Sequence, residues 1–223
     1  MRYKDKIIAY FDSCPDGCVI AANDLYEKEF SKMSQAAFFK ALERLTKEGV
    51  LIRAAKGMYS KNTSIENDDM LNHFFGEDNM DGMYIGGRLY SKYALTNIKD
   101  DQIWLYSTLI SKETCNIGNI HVKRVPVPLS YDNTRIIEAL EILQNYDGIE
   151  GLNKNKFARY ARQFAKGYND EAAVYVINNM KYKKSTIAFM KKILDMYKVP
   201  NSLQQFLSYA SKYKIPSVAR VAR

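Results

Sequence analysis

Over residues 23–61 the spacing of apolar positions changes from helical to alternating, with turn residues at each change. The pattern predicts a helix over residues 23–30, a turn at Ser31-Lys32-Met33, a second helix from Ser34 to Gly49 and a tight hairpin. Asn23 and Ser34 are the expected caps, because a short polar side chain can accept from the free N–H groups of a first turn. Ala37, Ala41, Leu42 and Leu45 form the predicted inward stripe of the second helix, and Leu25 and Phe30 that of the first. Gly49 stands where a helix ends in the left-handed region, and Gly57 where the hairpin turn needs positive φ. Residues 50–53 and 58–61 are the hairpin strands. Before this run, Ile7, Ile8 and Phe11 predict a helix over residues 3–11, residues 12–17 break it, and Val19-Ile20-Ala21 reads as an edge strand. That order is a winged helix-turn-helix.

The remainder is mixed and then helical. Residues 65–81 are acidic and polar and suit a linker after a short helix. Strands are predicted at residues 83–85, 103–107 and 117–125, the last ended by Pro126 and Pro128. From Thr134 the stripe Ile136, Ile137, Leu140 and Leu143 begins a helical region, with further helices expected near residues 154–166, 171–180, 185–197 and 202–213. The expected class is α+β and mainly helical, with a DNA-binding domain over residues 1–64 and a second domain over residues 65–223. That second domain would hold its strands within 82–127 and its helices within 134–214.

The composition, 47% hydrophobic and 26% charged in 223 residues, is that of a globular chain with room for two cores. No apolar run approaches the ~20 residues that span a bilayer, and the Met-Arg-Tyr-Lys-Asp-Lys start lacks a signal-peptide core, so a cytoplasmic protein without membrane partners is expected. The net charge of +8 is uneven: +3 over residues 1–61, −5 over 62–120 and +10 over 121–223. Positive charge of that size favours phosphate-bearing partners. Cys14 and Cys18 stand four apart, but zinc needs two further ligands, and His73 and His121 lack ligand spacing. Reduced thiols around a Pro15-Asp16-Gly17 turn are expected, with no metal and no cofactor.

Catalysis finds no support in the motifs. There is no Ser/His/Asp arrangement and no phosphate-binding loop, and two histidines leave little acid–base capacity near neutral pH. The Asp68-Asp69 and Asp100-Asp101 pairs lie in turn-like contexts, and Gly86-Gly87 allows a sharp strand-to-helix turn. No enzyme is expected. The candidate DNA contacts are instead Ser34, Gln35, Phe38, Lys40, Arg44 and Lys47 on the second helix, with Arg53, Lys56 and Lys61 at the hairpin. Phe38 and Phe39 divide between core and a contact to a thymine methyl. Lys154, Lys156, Arg159, Arg162 and Lys166 form a candidate surface for a partner or a nucleic acid.

The segment Ala37–Lys61 resembles the winged-helix module of AbiE-type antitoxins (the AbiEi family, type IV), from abortive-infection toxin–antitoxin systems. The resemblance rests on Leu42, Arg44-Leu45, Lys47-Glu48-Gly49, Ile52, Arg53, Gly57 and Tyr59. Residues 83–95, Met-Tyr-Ile-Gly-Gly-Arg-Leu-Tyr-Ser-Lys-Tyr-Ala-Leu, are similar to the strand, small-residue turn and helix that follow in that family, and Ile103-Trp104-Leu105-Tyr106-Ser107 to its next strand. Lys56 departs from the family pattern, which often has Arg there, and so loses bidentate geometry at the wing. The resemblance implies a bacterial repressor that binds inverted repeats at its own promoter and counteracts a nucleotidyltransferase-like toxin, and dimerisation on the repeats is a further expectation. Two other readings stay open: a one-component regulator with a small-molecule pocket in the second domain, and a winged-helix module that docks a protein or RNA.

Overall fold

The computed structural model describes residues 3–14, 18–61, 67–76, 78, 80–110, 112–117 and 119–216, apart from the side chains of residues 55 and 67–70. The chain is an α+β protein with two small sheets and a predominance of helix. It divides into two compact units, Met1–Asn79 with Asn116–Gly118, and Met80–Cys115 with Asn119–Arg223. The expected turn at Pro15-Asp16-Gly17 and the side chains of Asp68-Asp69 lie outside the described residues. Among the described residues no helix is long and apolar enough to cross a membrane.

The first unit runs α1 (Tyr3–Ser13), β1 (Ile20–Ala21), α2 (Ala22–Leu25), a π-helical turn (Tyr26–Phe30), α3 (Gln35–Lys47), β2 (Ile52–Ala55), β3 (Met58–Ser60) and α4 (Asn67–Phe75). Its three strands pair in the order β1-β3-β2, all antiparallel. Ile7, Phe11, Leu25, Phe30, Phe38, Leu42 and Leu45 fill one core. Two sequence expectations fall here. Asn23 is not a cap: α2 starts one residue earlier, and the Ala22 N–H donates to the Gly57 carbonyl at 2.8 Å. A backbone acceptor on the hairpin replaces the side-chain cap. Ala37 does not face inward either, and is exposed.

The second unit runs β4 (Gly82–Ile85), α5 (Gly87–Lys92), β5 (Ile103–Ser107), the start of β6 (Thr114–Ile117, whose last two residues are counted with the first unit), β7 (Ile120–Arg124), α6 (Tyr131–Gln144), α7 (Lys154–Lys166), α8 (Asp170–Asn179) and α9 (Lys184–Met196). The sheet order is β4-β5-β7-β6, with β5 parallel to β7 and antiparallel to β4. The single strand expected over residues 117–125 is two strands, β6 and β7, with Asn119 in a turn just before the second. The helix expected at Thr134 starts at Tyr131, where Ser130 caps it by accepting from the Asn133 N–H at 3.3 Å. The last expected helix is only a 3-10 turn, Leu203–Phe206, in which Leu203 alone is buried. One anchored residue gives too small an apolar face to hold a helix of that length.

Helix α6 is the centre of this unit. It packs against β4, α5, α8 and α9, and all eight residues from Ile136 to Leu143 are buried. Two of them are carboxylates, Glu138 at 4% exposure and Glu141 at 7%. Burying a charge is costly unless it is hydrogen-bonded. Glu141 accepts from the Tyr106 hydroxyl at 3.0 Å and the Tyr182 hydroxyl at 3.2 Å. Glu138 accepts from Lys92 and Tyr93.

At the turn from β4 into α5, Gly86 has φ +62. A Cβ on Gly87 would stand 2.6 Å from that of Asp100. The glycine pair therefore gives a left-handed residue followed by a close approach.

Candidate nucleic-acid interface

Helix α3 is built to present one face. Phe38, Leu42 and Leu45, at i, i+4 and i+7, are all 0% exposed. At 100° per residue the opposite side carries Lys40, Glu43, Arg44 and Lys47, all exposed. Ala36 and Ala37 are also exposed, so the N-terminal half of that face stays low enough for close approach. The helix starts at Ser34, whose side chain accepts from the Ala37 N–H at 3.3 Å. It stops at Gly49, with φ +72. Its position is secured by Phe38, whose ring lies 5.3 Å from Phe30 and 5.5 Å from Tyr26.

That burial removes Phe38 from the candidate contacts. A ring with no exposed surface cannot reach a base, and Phe38 belongs to the core. Phe39 is half-buried and packs edge-on against it at 5.4 Å. The signal was available in the sequence, since only Phe38 keeps the i, i+4, i+7 spacing with Leu42 and Leu45.

The hairpin supplies the second group of cations. Arg53 pairs with Tyr59 in the register of β2 and β3, and the register shifts between Arg53 and Ala55. Lys56 and Gly57 form the turn, with Gly57 at φ +83. Arg53 and Lys56 are exposed. Lys61 is engaged: its ammonium pairs with the Asp12 carboxylate on α1. Lys47 pairs with Glu43 at 3.4 Å, an exposed contact of little energetic weight. Among the described residues, Lys40, Arg44, Arg53 and Lys56 have no ion-pair or side-chain hydrogen-bond partner. The face thus keeps four uncommitted cations, together with Gln35.

The basic residues of the second unit lie on α7. Lys154, Lys156, Arg159, Arg162 and Lys166 are all exposed, while Phe157, Tyr160, Ala161, Phe164 and Ala165 are buried. Asn153 caps the helix by accepting from the N–H groups of Asn155 and Lys156 at 3.1 and 3.0 Å. Lys156, Arg159, Tyr160 and Gln163 line a pocket of about 240 Å³ with Lys92, Tyr93 and Ala94 from the end of α5. Sequence reasoning missed the α5 side of this site. Lys92 and Tyr93 are distant in the chain, and only the fold brings them beside the α7 residues.

Several groups are shifted, and burial is the first cause in each. It pushes the Glu141 carboxyl up, against the Tyr106 and Tyr182 hydrogen bonds that lower it. It pushes the Tyr93 and Tyr160 hydroxyls up, helped by the nearby Glu138. Tyr90 rises to about 12. The tyrosines are neutral donors at physiological pH. Cys14, Cys18 and Cys115 form no disulfide among the described residues. Among the described residues no group of three or more His, Cys, Asp or Glu could hold a metal ion.

No family model matches the chain, and no curated protein matches it. Among solved structures, the crystal structure of the RV2827C protein from Mycobacterium tuberculosis is similar at 12% identity and a TM-score of 0.44. That likeness covers 95% of this chain and 83% of that one. It is too slight to carry fold or function across.

Proposed function

We propose that the first unit is a winged helix-turn-helix that binds promoter DNA, and that the chain is an autorepressing antitoxin of the AbiE type. The observation that carries the DNA-binding half is the division of α3 into a fully buried stripe and an opposite face with uncommitted Lys40 and Arg44. In this reading α3 enters the major groove, where Gln35, Lys40, Arg44 and Lys47 meet base edges and phosphates. Ser34 caps the helix and can donate its hydroxyl proton to a phosphate. The β2–β3 hairpin is the wing, and Arg53 and Lys56 hold the flanking backbone. The antitoxin half rests on the sequence resemblance, and its partner is a nucleotidyltransferase-like toxin. No catalytic step is assigned.

The test is binding of the purified chain to a labelled fragment of its own upstream region, with scrambled competitor, across a salt series. Binding that survives the competitor, weakens with salt and protects repeated half-sites is the expected result. Binding abolished by the competitor would overturn the repressor reading. For the antitoxin half, co-expression with the product of an adjacent nucleotidyltransferase-like gene should restore growth that the toxin alone arrests. Continued arrest would remove that half.

A further inference from the structure

The pocket between α5 and α7 has a wall of cations over a pair of tyrosines whose rings are tilted by 57°. Lys156, Arg159 and Gln163 come from one side of α7, and Lys92, Tyr93 and Ala94 from the end of α5. The Tyr93 and Tyr160 ring centroids are 4.5 Å apart. Of the three cations, Lys92 is committed to Glu138 at 2.6 Å. Lys156 and Arg159 have no acidic partner among the described residues. The lining therefore carries an excess of two positive charges.

The walls are tied together without any ligand. The Asn153 N–H, at the start of α7, donates to the Leu95 carbonyl at 2.7 Å. The Thr96 hydroxyl donates to the Glu150 carbonyl at 2.7 Å. The end of α5 is closed by Leu95 N–H to the Tyr90 carbonyl at 2.8 Å. Ala94 takes φ +53 there, a left-handed conformation that is unfavourable for a residue with a Cβ. Such strain persists where the surrounding structure holds it. A site whose walls are fixed in advance spends little on ordering when a ligand arrives.

We propose that this pocket binds a phosphate monoester, with Lys156, Arg159 and Gln163 as donors and the Tyr93–Tyr160 pair beneath it. Charge selects the class. A phosphate monoester carries about −1.5 to −2 near neutral pH and matches the two uncommitted cations, whereas each backbone phosphodiester carries one charge. Arg159 offers the planar fork that suits phosphate oxygens, and Lys156 adds a point charge. At about 240 Å³ the pocket is smaller than the ~300–1,000 Å³ that enclose drug-sized ligands. It takes one phosphorylated end. That end belongs either to a free mononucleotide, whose base can lie on the tyrosines, or to a 5′-phosphorylated single strand. The site is separate from the α3 face and does not rest on the repressor reading.

Calorimetric titration of the full chain with adenosine 5′-monophosphate and with adenosine tests the phosphate. A 5′-phosphorylated single-stranded pentanucleotide and its 5′-hydroxyl twin test the source. Expected is binding that requires the monoester, strongest for the mononucleotide if the ligand is free and for the phosphorylated strand if it is a strand end. Arg159→Ala and Lys156→Ala should each weaken it about tenfold. Arg162→Ala removes a charge from the same helix outside the pocket, and should leave it within about twofold. The proposal is overturned by binding that ignores the monoester in both pairs, by no binding at all, or by an Arg162→Ala loss equal to that of Arg159→Ala.

Discussion

The Tyr93 hydroxyl donates to the buried Glu138 carboxylate at 2.5 Å, and Lys92 donates to its other oxygen at 2.6 Å. The pair joins the end of α5 to the central helix α6, and both donors line the α5–α7 pocket. Tyr93→Phe deletes one donor to a charge that is almost wholly buried. It should lower stability by about 1–3 kcal/mol in urea denaturation. A loss under about 0.5 kcal/mol would mean that water replaces the hydroxyl.

Glu141 makes stability depend on pH in a defined direction. Its folded carboxyl titrates above the ordinary value because it is buried. The protonated form is therefore favoured by folding. Its contribution is fully present below the unfolded pKa of about 4.3 and is lost as pH rises through the folded value. Glu141→Gln keeps the shape without the charge, so it should gain on the wild type as pH rises above about 4. A difference in urea midpoint that stays constant across that range would refute the assignment.

Phe38 and Lys40 sit two residues apart on α3 and should fail in different assays. Phe38→Ala opens a cavity among Tyr26, Phe30 and Phe39 and should cost about 3–5 kcal/mol of stability. Phe38→Leu costs less, and once folded should bind DNA as the wild type does. Lys40→Ala and Arg44→Ala should change stability by no more than about 0.5 kcal/mol. Each should flatten the salt slope of DNA binding by about one unit. Wild-type binding by both would show that α3 is not the reading helix.

Gly49 ends α3 with φ +72 and nothing within 4 Å of an added Cβ. Gly49→Ala meets no steric obstacle and pays only for the left-handed backbone. The expected cost is about 1 kcal/mol, seen as a lower thermal midpoint with DNA contacts unchanged. An unchanged midpoint would mean that the turn relaxes to another conformation.

Much of the first unit was legible because its signals are local. Ser34 caps α3 through its own first turn, Gly49 and Gly57 take the positive φ that their positions demand, and Phe38, Leu42 and Leu45 follow a single period. Where a signal was supplied from elsewhere in the fold, the reading failed. Asn23 lost its capping role to the Gly57 carbonyl, and Lys61 was drawn to Asp12. On α7 the basic stripe was legible as exposed charge, yet not as a pocket, because Lys92 and Tyr93 lie about sixty residues earlier in the chain.

The sequence by itself determined most of the elements, the inward stripe of α6, that of α3 apart from Ala37, and the excess of cations at both ends of the chain. Periodicity, caps and glycines act within a few residues, so they are written locally. The tertiary structure decided which charges remain available: Lys61 and Lys92 are committed to Asp12 and Glu138, while Lys40, Arg44, Lys156 and Arg159 are left over. An ion pair depends on distance in space, and folding sets that distance between residues the sequence keeps far apart.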